Sequence, residues 1–297
     1  MIAKIFDDRG RELLFSRPPK RVVSLVPSDT LTVASLGCAG ALVGRTDYCE
    51  LPVEVVAKVP AVGGTKNPRL DAILALEPDL VLANQEENTK SDLETLAQKG
   101  VRIYVAFPKR VADGIAHMAK LARIFDVDKD PSVVELCRRG YDVVHRGEAM
   151  RVSKRAVRTF CPIWMDPLMT IHAKTFISDL LAMAGAENVF ADRERRYPLA
   201  ADVGKRAPLT EAEVGERDTR YPRVTMAEVN ARAPELILLP SEPHPFTDAD
   251  AEVFKREATP AAARGAIVKT DGKDISWYGA RSVEGLPRVR EVVDRYR

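Results

Sequence analysis

Short apolar runs alternate with amphipathic stretches along the chain. RVVSLVP at 21–27 is apolar almost throughout, as a strand covered on both faces of a parallel sheet would be. Ser28-Asp29-Thr30 then caps a helical pattern through Leu31, Val33, Ala34 and Leu36, which stops at Gly37. The same reading predicts a strand near 41–46, a helix over 70–78 ending at Pro78 and a buried strand over 79–83. A helix over 89–100 and a strand over 101–107 complete an α/β lobe. Ahead of it, AKIFDD and RELLFS about a turn at Arg9-Gly10 read as a leading hairpin within 1–20.

Then the rhythm breaks. Residues 111–125 place Ile115, Met118, Ala122 and Phe125 at helical spacing, and 131–151 reads as one helix of roughly 30 Å at about 1.5 Å per residue. Alternation resumes with a strand in 155–164, a helix over 174–184 stopped by Gly185, and strands at 236–239 and 266–269. ALEPDLVL at 75–82 returns as ARAPELIL at 231–238, each a helix stopped by proline before a buried strand. Two similar α/β lobes follow from this, over 1–125 and 153–297, with a linking helix within 126–152.

Charge narrows the function. Lys+Arg number 45 and Asp+Glu 43 in 297 residues, so the basic surplus that nucleic-acid binding ordinarily needs is absent. Cys38, Cys49, Cys137 and Cys161 form no paired metal or redox motif. Cys38 and Cys161 lie in apolar settings that suit buried thiols. No apolar run approaches the roughly 18 residues of a membrane span, and the first residues show no secretory h-region. The expectation is no membrane insertion, and either a cytoplasmic protein or a chain already processed or truncated.

RVVSLVPSDTLTVASLG, the Asp47-Tyr48 pair, LDAILALEPDLVLA, the long central helix, AGAENVFAD at 184–192 and RYPRVTMAEVNARAPELILL at 220–239 occur in one order. In that order the chain resembles the helical-backbone substrate-binding proteins of ABC importers, which carry cobalamin, haem and ferric siderophores. The resemblance implies two Rossmann-like lobes with parallel sheets joined by a single backbone helix, and a ligand cleft where the lobes meet. It further implies a monomer in the periplasm or cell envelope, with no intrinsic cofactor. The expected partners are a corrinoid, ferric siderophore or haem chelate and an importer permease. Where cobalamin-binding members carry tryptophans, this chain has Gly63-Gly64 and Asn84, which widens the expected ligand to iron or corrinoid chelates in general.

Ligands of open parallel sheets sit beyond the carboxyl ends of the strands. Loops placed there carry the expected ligand contacts Tyr48, Trp164, Arg196, Tyr197, Tyr221, Trp277 and Tyr278, with Arg220 a second choice for an anionic group. Aromatic faces and guanidinium forks suit a large planar anion. His172 and His244 are weak metal candidates, while His117 and His145 read as surface or packing residues. By resemblance Asp71 docks on the permease, and Glu228, next to Ala227, stands nearest the second lobe's equivalent place. Residues 199–219 read as a polar insertion between two RYP copies. No nucleophile elbow, P-loop, HExxH or kinase set occurs, so no catalytic residue is assigned. The alternatives are a cytoplasmic chelate sensor or carrier, and a chelatase- or nitrogenase-like enzyme on a related two-lobed fold.

Overall fold

The computed structural model describes residues 3–297, so the first two residues of the expected hairpin lie outside it. The rest of the hairpin is present as β1 (Ala3–Phe6) paired antiparallel with β2 (Glu12–Phe15). Two compact units follow, one of residues Met1–Asp142 with Trp277–Val283, the other of Val143–Ser276 with Glu284–Arg297.

In the first unit β3 (Val22–Ser24), β4 (Leu42–Arg45), β5 (Leu80–Asn84) and β6 (Ile103–Ala106) form a parallel sheet in the order β4-β3-β5-β6. Its helices are α1 (Pro27–Ser35), α2 (Val53–Val56), α3 (Leu70–Ala75), α4 (Lys90–Gln98) and α5 (Val111–Ile124). Val23, Val81 and Ile103 lie in register across three strands. The two-residue side-chain period sends all three to one face, where they pack with Ile73, Leu93 and Leu96. Ser24, Leu82 and Tyr104 form the opposite row. Every residue of β5 is buried, so its continuous apolar run is that of a strand covered on both sides.

A helix of 23 residues, α6 (Pro131–Ser153), runs unbroken from the first unit into the second, as its spacing predicts. Gly140 and Gly147 interrupt its sequence without interrupting its backbone. Each marks a close approach: a Cβ at Gly140 would stand 3.0 Å from Ile115 of α5, and one at Gly147 would stand 2.9 Å from the Met183 Cβ.

The second unit repeats the plan with β7 (Val157–Phe160), β8 (Ala186–Asn188), β9 (Leu236–Pro240) and β10 (Ile267–Thr270), all parallel, in the order β10-β9-β7-β8. Its helices are α7 (Phe176–Met183), α8 (Leu199–Asp202), α9 (Glu211–Val214), α10 (Met226–Arg232), α11 (Asp248–Lys255), α12 (Pro260–Ala263) and α13 (Gly272–Ser276), and α14 (Ala280–Asp294) begins in the first unit and ends in the second. Phe160 anchors the core against Phe190 at 5.3 Å and Phe254 at 6.0 Å. Among the described residues no helix is long and apolar enough to cross a membrane. The return of Trp277–Val283 to the first unit, and α14 after it, differ from the expected division at 125 and 153. Gly285 and Pro287, residue types that ordinarily break a helix, both lie inside α14.

Candidate functional site

Loops at the carboxyl edge of the first sheet are tied together by one side chain. Asn88 donates through Nδ2 to the carbonyls of Leu25, at 3.2 Å, and Thr65, at 3.0 Å, while its Oδ1 accepts from the Asn84 amide at 2.7 Å. Buried amides of this kind order a loop because every alternative leaves polar groups unpaired. Beside this tie Tyr48 stands 61% exposed. A Cβ on Gly64 would lie 3.4 Å from the Tyr48 ring and 2.3 Å from Asn67 Oδ1. Gly63 holds a φ of +101°, a backbone region that favours glycine. The Gly63-Gly64 turn therefore seats the Tyr48 ring.

The opposite row of that sheet carries a sealed polar chain. Asp29 meets His117 Nε2 at 2.6 Å, His117 Nδ1 lies 3.2 Å from the Tyr104 hydroxyl, and the His117 ring lies edge-on to Tyr278 at 5.4 Å. Tyr278 accepts from Asn84 Nδ2 at 3.3 Å. Burial pushes the Tyr104 and Tyr278 phenols well above their ordinary value, Asp29 adding to both. Trp277 is only 5% exposed and Tyr278 3%. These two were expected in strand-end loops of the second lobe. They instead pack in the first unit, where Gly279 closes on Thr32 and the Ala280 amide donates to Thr32 Oγ1 at 3.2 Å.

In the second unit Trp164 follows β7 and His244 follows β9, two adjacent strands. Their rings lie 5.4 Å apart, and Phe246 packs edge-on to His244 at 4.6 Å. Trp164 remains 43% exposed, its Nε1 donating to the Asp166 carbonyl at 3.0 Å. His244 thus belongs to an aromatic cluster, with Asp250 Oδ2 at 3.7 Å. His172 is buried, accepts the Lys174 amide at 3.1 Å, and is pulled below its ordinary pKa by burial. Among the described residues no three His, Cys, Asp or Glu side chains converge as metal ligands would. Cys161 is fully buried, and its thiol is pushed up to about 12, the state of an inert core residue.

A second set of site residues gathers where 194–197 meets 218–224. The Arg195 amide donates to the Thr219 carbonyl at 2.7 Å, the His172 amide to that of Arg220 at 2.8 Å, and Tyr197 Oη to that of Asp218 at 2.8 Å. Buried Arg193 pins the start of the insertion through Asp202 at 3.0 Å, and Asp202 also accepts the amides of Arg196 and Arg223. Arg196 itself is exposed, and Tyr197 and Tyr221 are half-buried. Asp71 is exposed in the first turn of α3. Glu228 is held by the Thr225 amide at 2.9 Å and by Arg193 Nε at 3.2 Å, both within its own unit.

The family model described as periplasmic binding protein matches residues 22–273. A vitamin B12-binding protein of Vibrio parahaemolyticus is 29% identical over 184 residues, 62% of this chain and 66% of that protein. One of Yersinia pestis is 29% identical over 180 residues, 60% of this chain and 63% of that protein. The chain thus matches slightly under two thirds of these curated relatives' length. Among solved structures, the periplasmic vitamin B12 binding protein BtuF of Vibrio cholerae superposes with a TM-score of 0.73 at 17% identity, covering 94% of this chain and 98% of that one. A periplasmic heme binding protein from Pseudomonas aeruginosa gives 0.70 at 19%, covering 93% and 92%. These likenesses carry the two-lobed fold.

Proposed function

The chain belongs to the periplasmic binding protein family, and from that premise we propose that it captures a metal chelate of the corrinoid, haem or ferric-siderophore type for an ABC importer. It is a binding protein, not an enzyme. The observation that carries the reading is the pair of exposed rings, Tyr48 and Trp164, at the carboxyl edges of two parallel sheets. An exposed aromatic ring gains by stacking on a planar macrocycle, each contact adding on the order of 0.5–1.5 kcal/mol beyond area burial. Arg196, Tyr197 and Tyr221 lie on the same unit as Trp164 and add polar groups suited to an anionic chelate. Vitamin B12 is bound by the named relatives and heme by some of the structural neighbours, which supports the chelate class.

The proposed setting is the periplasm or cell envelope, with an importer permease as partner. Asp71, exposed on α3 and without an ion pair among the described residues, is the docking carboxylate of the first unit. Glu228 contributes less, since docking through it would break its bonds to Arg193 and Thr225. The test is an absorbance titration of the purified chain with cyanocobalamin, haemin and a ferric hydroxamate. Saturable perturbation of one corrin, Soret or charge-transfer band names the chelate. Three flat titrations, in protein whose circular dichroism shows it folded, overturn the reading.

A further inference from the structure

The insertion at 199–219 brings Arg217 up to a ring that already carries Arg195. Arg217, from within it, places its guanidinium carbon 5.6 Å from the Tyr197 ring, and Arg195 places its own 5.3 Å from the same ring. Arg220 lies 5.5 Å over Tyr221, two residues from Asp218 in sequence. Asp218 is the carboxylate in their midst. Both of its oxygens are committed to Arg220, Oδ1 to Nε at 2.9 Å and Oδ2 to Nη2 at 2.7 Å. Burial by itself would raise Asp218, yet Arg220, with a contribution from Arg195, holds it below the usual carboxylate range. Arg195 makes no ion pair among the described residues, and its Nε is buried without a hydrogen-bond partner. Arg217 spends Nη1 on the Glu213 and Val214 carbonyls, at 2.6 and 3.3 Å, which leaves Nε and Nη2 unbonded.

Two like charges held on one ring repel, and a guanidinium stacked by its face keeps its N–H donors at the edge. A planar or tetrahedral oxoanion received by such edges relieves the repulsion through charge-assisted bonds. We propose that Arg195 and Arg217, carried on Tyr197, form an oxoanion site that takes a carboxylate or phosphate group, and that the insertion exists to complete it. The chelate-binding reading bears on this only in saying what the oxoanion is attached to: an acidic arm of the chelate.

The site is tested on the whole chain with bare anions. Calorimetric titration at low salt with citrate and, separately, inorganic phosphate distinguishes the two sources of charge. One of them should bind saturably, at least ten-fold more weakly in Arg195→Gln/Arg217→Gln and with affinity falling steeply as salt rises. Arg206→Gln, which removes an exposed cation of the same insertion, should bind nearly as the parent does. The exposed single variant Arg217→Gln serves where the double variant melts early, and should still lose several-fold. The proposal is overturned if neither anion binds, or if the arginine variants bind like the parent. No anion binding with intact haemin or cobalamin binding refutes this site and leaves the functional reading standing. Anion binding without any chelate binding does the reverse.

Discussion

Tyr48 and Trp164 keep their rings in solvent while Trp277 and Tyr278 are enclosed, so one substitution should read out in two ways. Tyr48→Ala or Trp164→Ala should weaken chelate binding by about two- to ten-fold, the equivalent of on the order of 0.5–1.5 kcal/mol, and leave the melting temperature nearly unchanged. Trp277→Ala should instead cost about 3–5 kcal/mol of stability, read by urea unfolding. A binding loss at Tyr48 that follows a loss of fold would overturn its assignment. His172 gives a pH signature. Its folded pKa lies below the ordinary 6.5 because burial disfavours the charged ring. The unfolded chain therefore takes up the proton first, and stability present above about pH 6.5 is lost as pH falls toward the folded value. Denaturation midpoints at pH 7.5 and 5 should differ less in His172→Asn than in the parent; an unchanged difference would show that other groups set the pH dependence.

At the scale of elements, α6 packs by way of the two glycines in its interior. Alanine gains about 1 kcal/mol over glycine in a helix interior, so both sites would profit from substitution if room existed. At Gly147 the new methyl would press on the Met183 Cβ, an atom that cannot swing away. Gly147→Ala should therefore destabilise by about 1–3 kcal/mol of overpacking, and a stabilised variant in thermal melts would contradict the close approach. The same element shows what the sequence makes legible. Period and length reveal α6 although it contains two glycines, because its apolar positions hold their spacing across them. They do not reveal α14, whose Gly285 and Pro287 carry the ordinary signs of a turn. Gly285 is placed there by a neighbour distant in sequence, the Asp274 carbonyl, from which a Cβ would stand only 2.9 Å. β8 is likewise unread, three residues being too few for a period.

For the whole molecule, the ALEPDLVL and ARAPELIL copies announce the duplication of the lobes, and the parallel sheets bear that out with β5 and β9 at corresponding places in the two strand orders. The candidate site is less legible. Tyr48 is readable as an aromatic in a strand-end loop, but the ring cluster of Trp164, His244 and Phe246 joins loops 80 residues apart, and only the adjacency of β7 and β9 brings them together. The cations about Tyr197 are hidden for the same reason, since Arg217 is delivered by an insertion with no periodicity of its own.

The seven residues Trp277–Val283 have a consequence for biosynthesis. Tyr278 closes over His117, and Asn84 waits for its hydroxyl. A ribosome must make Val143–Ser276, most of the second unit, before the first can be finished. The amino-terminal unit is then an unfinished domain while the other is being translated, its His117 ring lacking the Tyr278 contact through that interval. A fragment ending at Ser153 should accordingly bind a hydrophobic dye and melt well below the full chain. A peptide of residues 272–297, added in trans, should restore protection from proteolysis. A fragment as stable alone as within the whole would show instead that the segment is a late ornament and not the closing piece.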